Sequence, residues 1–430
     1  MAPGSDSNLV EAGRSIGARF FAALAYRDYR IMWVATMAAG GAAWALIVAR
    51  GWLVFSLTGS SAWVGVVTFS AMIPQLFVPP IAGFLADRLD RRQILAWVFA
   101  IQFLHNIVLA VLAISGVVNV WHVVVLSVIN GIVRAVQMPA ANALVPNLVP
   151  GDKLLNAVAL RSATVHASRL VGPLLIAPIM ATVGAKWAFP MCAGLYGVGF
   201  VLVLVIRTSS TGVIQSGKGN LHNFIAGMDY LYHHPFLLSL TILTTLHCAL
   251  TMAFESIIPV LSRDTLGAGG AGFTYIMMGV GTGALAIVVV LAGIQSERVR
   301  GQLFFWLGMT SGIGPIALAL SGNLTTALAS AVVMGASQGG FMTMSAVIVQ
   351  SIVPDGIRGR VTGITMLHIG GMMAIFNLVN GILADVISAQ TILTVTGAAF
   401  IVVMAASVMR APLRTFYTAG MSSVAQTQAA

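Results

Sequence analysis

Charge is scarce in this chain. Of 430 residues, 22 are basic and 12 acidic, together 8%, where a soluble domain carries about 25%. An ordinary water-soluble domain is excluded. Cysteine is scarcer still: only Cys192 and Cys248 occur, both inside apolar runs and neither in a CxxC pair. That excludes a disulfide framework and a thiolate metal centre. No GxxxxGK[ST] loop is present, and the segments between apolar runs are too short to form an ATPase domain, so the chain is not itself an ATP-driven pump. No Ser-His-Asp or paired-acid arrangement points to catalysis, and no cofactor or metal is implied. The first 30 residues lack a short apolar core followed by a small-residue cleavage site, so no removable signal peptide is expected.

Apolar sequence is what the chain has. It is 58% hydrophobic with a mean hydropathy of +0.94, and runs of 18 or more apolar residues recur along its length. Each is long enough to cross a hydrocarbon core of about 30 Å. Hydropathy predicts twelve spans, at 31–57, 62–85, 93–115, 121–145, 154–180, 186–206, 236–261, 271–294, 302–320, 325–350, 361–386 and 390–409. The strands of a membrane barrel would alternate over about ten residues, and these runs do not. The expected class is therefore an all-α membrane protein. A tail (1–30) precedes six spans (31–207), a linker (208–235), six further spans (236–410) and a second tail (411–430).

The net charge of +10 invites a nucleic-acid reading, but its distribution argues otherwise. Sixteen of the 22 basic residues fall in the tails and even-to-odd loops, two (Lys186 and Arg263) in the other loops, and four within spans. Basic residues in short loops mark the cytoplasmic side, so both termini are expected to be cytoplasmic in a multi-pass protein of the cell membrane. The linker stretch LHNFIAGMDYLYHHP reads as a short amphipathic helix at that surface.

The two halves resemble each other. NGIVRAVQMPAANALVPNLVPGDKLLNAVAL (130–160) aligns without a gap on MGASQGGFMTMSAVIVQSIVPDGIRGRVTGI (334–364), and AGFLADRLDRRQ (82–93) is echoed by AGIQSERVRGQ (292–302). Two six-helix bundles of one design imply a parallel repeat with a site between them.

In a chain so poor in charge, GFLADRLDRRQIL (83–95) spends five charges in six positions. Gly-x-x-x-Asp-Arg-x-x-Arg-Arg between the second and third of twelve spans resembles the signature loop of the major facilitator superfamily. The echo at Gly293, Glu297 and Arg298 falls where that superfamily has its second copy. The resemblance covers about 31–410. It implies a gate built from Gly83, Asp87, Arg88, Asp90, Arg91 and Arg92, with Glu297, Arg298, Arg358 and Arg360 as further members. Asp87 would cap the start of span 11, which follows VPDGIRGR, a contact worth about 0.3–2 kcal/mol. The plainer reading is that these charges only enforce topology. Asp90 stands where the signature has a glycine.

Ionisable groups inside spans are functional candidates by default. Arg134 and Gln137 in span 4 resemble the superfamily's Arg-x-x-Gln pattern. Arg161 and Arg169 share a face of span 5. Gly172-Pro173 resembles the fifth-helix motif of antiporters, although Ile176-Ala177 replaces its closing Gly-Gly. Arg50 in span 1 and Glu255 in span 7 lie at similar depth, and Asp385 falls at the outer end of span 11. Two roles are open for Glu255. It is a structural ion-pair partner of Arg50, or a protonatable carboxyl that gives up and regains its proton as Arg50 approaches and withdraws. His166 and His247 are secondary proton-relay candidates, and Trp44, Trp52 and Phe254 are candidate aromatic walls.

RGWLVFSLTGSSAWVGVV, QMPAANALVPNLVP and PDGIRGRV resemble the bacterial branch that contains enterobactin exporters and macrolide-efflux proteins. That resemblance implies a monomeric secondary transporter in the lipid bilayer, exporting small amphipathic molecules in exchange for protons by alternating access. Four intramembrane arginines against one clear acid favour anionic or siderophore-like substrates. A proton-coupled importer and a lipid or lysolipid flippase are the alternatives.

Overall fold

Polar caps decide where the apolar runs become separate helices. The computed structural model describes residues 21–208, 210, 220–294 and 296–420. Its spans are α1 (Arg27–Thr58), α2 (Ser61–Met72 continued by Pro74–Arg88), α3 (Arg91–Ile114), α4 (Val120–Leu144), α5 (Leu154–Thr182) and α6 (Ala188–Val205). After a linker helix (Asn220–His233) come α7 (Pro235–His247 and a π-helical turn, Cys248–Met252), α8 (Gly269–Ala292), α9 (Glu297–Ala319), α10 (Leu324–Ile352), α11 (Asp355–Ala384) and α12 (Ala389–Ser407). A C-terminal helix (Ala411–Ala419) closes the described chain. Among the described residues there is no strand.

Twelve crossings return the chain to the face where it began, here the terminal face; its opposite is the far face. The far-face starts of α4, α10 and α12 are capped by side chains that accept a first-turn N–H. Asn119 accepts from Trp121 at 3.0 Å, Asn323 from Thr326 at 2.9 Å and Ser388 from Thr391 at 3.2 Å. Gly59, at φ +66°, supplies the left-handed turn between α1 and α2.

Two spans depart from the continuous helices that hydropathy predicts. In α2 the helix is interrupted at Ile73, ahead of Pro74, since a proline inside a helix removes a backbone bond. In α7 the expected helix over 236–261 ends at His247; a π-helical turn follows, residues 253–257 are not helical, and helical structure resumes at Ile258–Val260 and a second π-helical turn, Leu261–Thr265. Neither break shows in hydropathy averaged over a span, because neither interrupts its apolar run for long.

The bundles meet through the first segment of α2 against α11, and through α5 against α8. Glycine makes both approaches possible. A Cβ on Gly65 would lie 2.9 Å from the Asn377 carbonyl oxygen, one on Gly381 2.5 Å from that of Ser61, and one on Gly281 2.6 Å from that of Arg169. The apolar core follows the same asymmetry. One cluster runs unbroken from Leu53, Val64 and Ile176 of the first bundle into Phe254, Phe273 and Val280 of the second. The other, around Phe236, Phe304, Phe341 and Phe416, belongs to the second bundle and the C-terminal helix. The far side is thus closed by shared packing. On the terminal side a cavity of about 760 Å³ separates α2 and α4 from α10 and α11, with Gln75, Arg134 and Asn142 facing Gln350, Arg358 and Thr362.

Candidate substrate site and gates

Irregular backbone inside a membrane survives only where protein satisfies its polar groups. The α7 break meets that condition through side chains from other spans. Gln338 donates to the Thr251 carbonyl at 2.6 Å, and Asn380 to the Ala253 carbonyl at 2.7 Å. The Ser256 N–H donates to Asn377 at 3.4 Å. Glu255 is held in this break with 7% of its surface exposed. Among the described residues it makes no hydrogen bond and no ion pair within 4.0 Å, Arg50 included. Its carboxyl lies instead in the combined field of Arg169, Arg134 and Arg50.

Gly172 explains how Arg169 reaches that position. A Cβ there would lie 2.5 Å from the Gly41 carbonyl oxygen and 2.7 Å from the Trp44 Cβ, so only glycine lets α5 press this closely on α1. One turn earlier, the Arg169 guanidinium sits 4.9 Å from the centre of the Trp44 ring. Among the described residues its Nε is buried without a hydrogen-bond partner, and so is Nη1 of Arg50, a residue only 5% exposed. Arg134 lines the cavity and, among the described residues, makes no hydrogen bond. The charges of three arginines therefore act on one carboxyl. Since buried charges are costly unless paired, a centre with this excess of donors is suited to an incoming anion.

The remaining candidates separate. Arg161 points its Nη2 at the Met138 sulfur, 3.6 Å away, beside the cavity that Met138 lines. Gln137 is half-buried on α4, one residue from Met138, and His166 lies half-buried in the field of Arg169. His247 sits inside the second bundle: its Nε2 is 2.7 Å from the Ser311 hydroxyl, and its ring lies 4.4 Å from Phe341 and 5.1 Å from Phe400. Pro173 is buried within α5. Trp52 abuts Gly269 and Gly270 of α8, and Phe254 is buried in the core beside Glu255.

At the terminal face, signature-loop residues hold helix ends within their own bundle. Asp90 caps α3 by accepting the Arg92 N–H at 2.9 Å. Arg91 donates to the Ala143 carbonyl at the end of α4, at 2.9 Å, and Arg92 to the Ile206 carbonyl after α6. Arg88 is exposed at the end of α2. Across the cavity, Arg358 donates to the Val353 carbonyl at 3.2 Å. Arg360 packs beside Gly227 of the linker helix, Glu297 opens α9 against Gly420, and Arg298 is exposed. The side chains of Gly83 and Asp87 lie outside the described residues, as do Arg14, Arg19 and Lys218 of the topology argument.

Several participants had only a weak signal in the sequence. Gln338, Asn377 and Asn380 are amides in apolar spans, far in sequence from the α7 backbone they satisfy. Gln75, Asn142, Gln350 and Thr362 line the cavity, although no motif marked them individually as site residues. Asp385, at the far end of α11, accepts hydrogen bonds from the Ser60 hydroxyl, from the Ser61 N–H at 2.7 Å and from the Ala62 N–H at 3.3 Å.

Comparison with known proteins places this geometry. The profile of the transmembrane secretion effector family matches residues 18–429. The chain is 23% identical to the staphyloferrin A transporter of Staphylococcus aureus, over 80% of this chain and 86% of that protein. It is 24% identical to the multidrug efflux pump Tap of Mycolicibacterium fortuitum, over 77% and 82%. With macrolide efflux protein A of Streptococcus pyogenes it shares 23% identity, over 76% and 82%. Among solved structures, the nucleoside transporter NupG superposes with a TM-score of 0.72 at 14% identity, over 89% of this chain and 99% of that one. The last likeness is one of fold.

Proposed function

The chain belongs to the transmembrane secretion effectors, an efflux-type family of major facilitator transporters, and from that premise we propose that it exports small amphipathic molecules bearing carboxylates, by alternating access coupled to proton entry. The observation that carries the reading is the set Arg50, Arg134 and Arg169 whose charges act on Glu255, with a buried guanidinium nitrogen on Arg50 and another on Arg169 that lack partners among the described residues. The terminal face is the cytoplasmic face, on the strength of its basic loops, and a single chain is the working unit.

In this reading the substrate enters the cavity past Arg134 and places its carboxylate among the three guanidinium groups. Opposite charges about 4 Å apart interact by about 4 kcal/mol at an effective dielectric of 20, so the arginines select for acids. Glu255 gives the same site one negative group. A donor or cationic group on the substrate takes Glu255 as its partner and excludes the proton, and that exclusion is what antiport requires. After the bundles rock, protonation of Glu255 from outside expels that group. The carboxylate is then released into water.

A second reading follows from the same charges. An acid with no cationic group raises negative charge beside Glu255 and loads together with a proton, giving symport and import. Proteoliposomes with an inside-acid gradient and a pH-sensitive dye separate the two, using staphyloferrin A and a macrolide as trial substrates. Substrate-dependent dissipation that disappears in Glu255→Gln supports proton exchange at this carboxyl. Dissipation that survives the substitution makes Glu255 structural, and substrate uptake accompanied by protons in the same direction supports the second reading.

A further inference from the structure

The far face carries a contact that the central site does not use. Helix α2 starts there and α11 ends there, in opposite bundles. Asp385, directly after α11, accepts from the Ser61 N–H at 2.7 Å, from the Ala62 N–H at 3.3 Å and from the Ser60 hydroxyl. Ser60 is itself the N-cap of α2, accepting the Trp63 N–H at 3.4 Å. The carboxylate from one bundle thus completes the cap on a helix of the other, where the positive end of the helix dipole attracts it. Just below, Gly65 and Gly381 let the two backbones touch. Toward the terminal face, the same two helices diverge around the cavity, with Gln75 and Pro79 facing Thr362 and Met366.

We infer that Asp385 is a state-specific latch: it holds the far gate shut by capping α2 across the bundle interface, and it must release for the far face to open. The inference rests on the alternating-access reading above. It follows from where the donors and acceptor reside. A helix cap supplied by its own chain neighbours moves with the helix and is indifferent to how the bundles sit. A cap supplied by the opposite bundle exists only while the two are together, so its whole contribution falls on the far-closed state. Asp385 has the mirror relation to the one expected of Asp87, which stands at the other end of α2 ahead of the start of α11.

Spin labels at Val117→Cys and Gly322→Cys, on exposed far-face loops of opposite bundles, read the separation of the two bundles by pulsed dipolar spectroscopy once the buried native cysteines are replaced by alanine. The native protein is expected to be mostly in the short-distance state. Asp385→Ala raises the ratio of far-open to far-closed by about tenfold, the scale of a lost charged cap. Asp385→Asn, which keeps the shape and one acceptor, gives a smaller rise. Ser61→Pro tests the other partner: it removes the donor at 2.7 Å at the first helical position, where proline is well tolerated, and it too favours the open state. A native two-state distribution whose ratio is unchanged in Asp385→Ala and Ser61→Pro overturns the latch, even if both variants melt earlier, since a purely structural cap lowers stability without moving the distances. One far-face distance in native protein and every variant, with and without a proton gradient, overturns alternating access itself.

Discussion

The guanidinium of Arg169 stacks 4.9 Å from the centre of the Trp44 ring, while its Nε points into buried space with nothing to bond. The ring holds the cation in place and leaves its donors unused. Arg169→Met should therefore abolish transport of carboxylated substrates while raising the melting temperature, since replacing a poorly paired buried charge by an apolar side chain often stabilises by about 1–4 kcal/mol. Thermal unfolding in detergent beside vesicle transport decides it. A lower melting temperature with transport intact contradicts the binding role.

Trp44→Leu removes the face that orients this arginine. A cation–π contact of about 0.5–2 kcal/mol corresponds to substrate affinity weakened by about 2- to 30-fold, with Trp44→Phe intermediate. Titration calorimetry on purified protein reads the ranking Trp, Phe, Leu; equal affinities would show that the ring only fills space.

Asn380→Leu leaves the Ala253 carbonyl without its 2.7 Å donor. A buried acceptor stripped of its partner costs about 1–3 kcal/mol, and the loss should be local. Hydrogen exchange is expected to quicken around 251–257 while peptides from α3 and α6 keep native protection. Uniform acceleration across all spans would count against a local role.

Gly172→Leu forces a side chain into the Gly41 carbonyl and Trp44. Overpacking costs about 1–3 kcal/mol and moves α5 outward from α1, taking Arg169 with it. Both a lower melting temperature and weaker substrate binding are expected. Binding at the native level in a destabilised variant would separate the glycine from the placement of Arg169.

Gly381→Val wedges the far gate directly, because its Cβ meets the Ser61 carbonyl oxygen at 2.5 Å. A cysteine placed at Val64, only 1% exposed, should react with a membrane-impermeant maleimide about tenfold faster in this background, a factor equivalent to 1.4 kcal/mol. Unchanged reactivity would mean that the interface absorbs the valine without parting.

Much of this architecture was legible before any coordinates. Twelve apolar runs and one charged loop at 83–95 pointed to the fold, and the intramembrane positions of Arg50, Arg134, Arg169 and Glu255 marked out the centre. What hydropathy could not show was the break in α7, because 236–261 stays apolar on average despite His247 and Glu255, and the amides that make the break tolerable lie on α10 and α11. Equal depth suggested a pair between Arg50 and Glu255. In the folded chain that carboxyl has no ion pair within 4.0 Å among the described residues, and the charges of Arg169 and Arg134 act on it beside that of Arg50. Asp385 was visible as an acid at the end of span 11, but its meaning depends on which helix begins opposite it.

The apolar core that joins the bundles on the far side, and stops short of the terminal side, has a thermal consequence. Opening the far face must bring water to surface around Leu53, Phe273 and Val280 that is now shared between the bundles. Hydrating apolar surface carries a positive heat capacity, and the penalty for doing so weakens on cooling. On the proposed alternating-access cycle, the balance between the two faces is therefore curved in temperature, and cooling shifts it toward the far-open state.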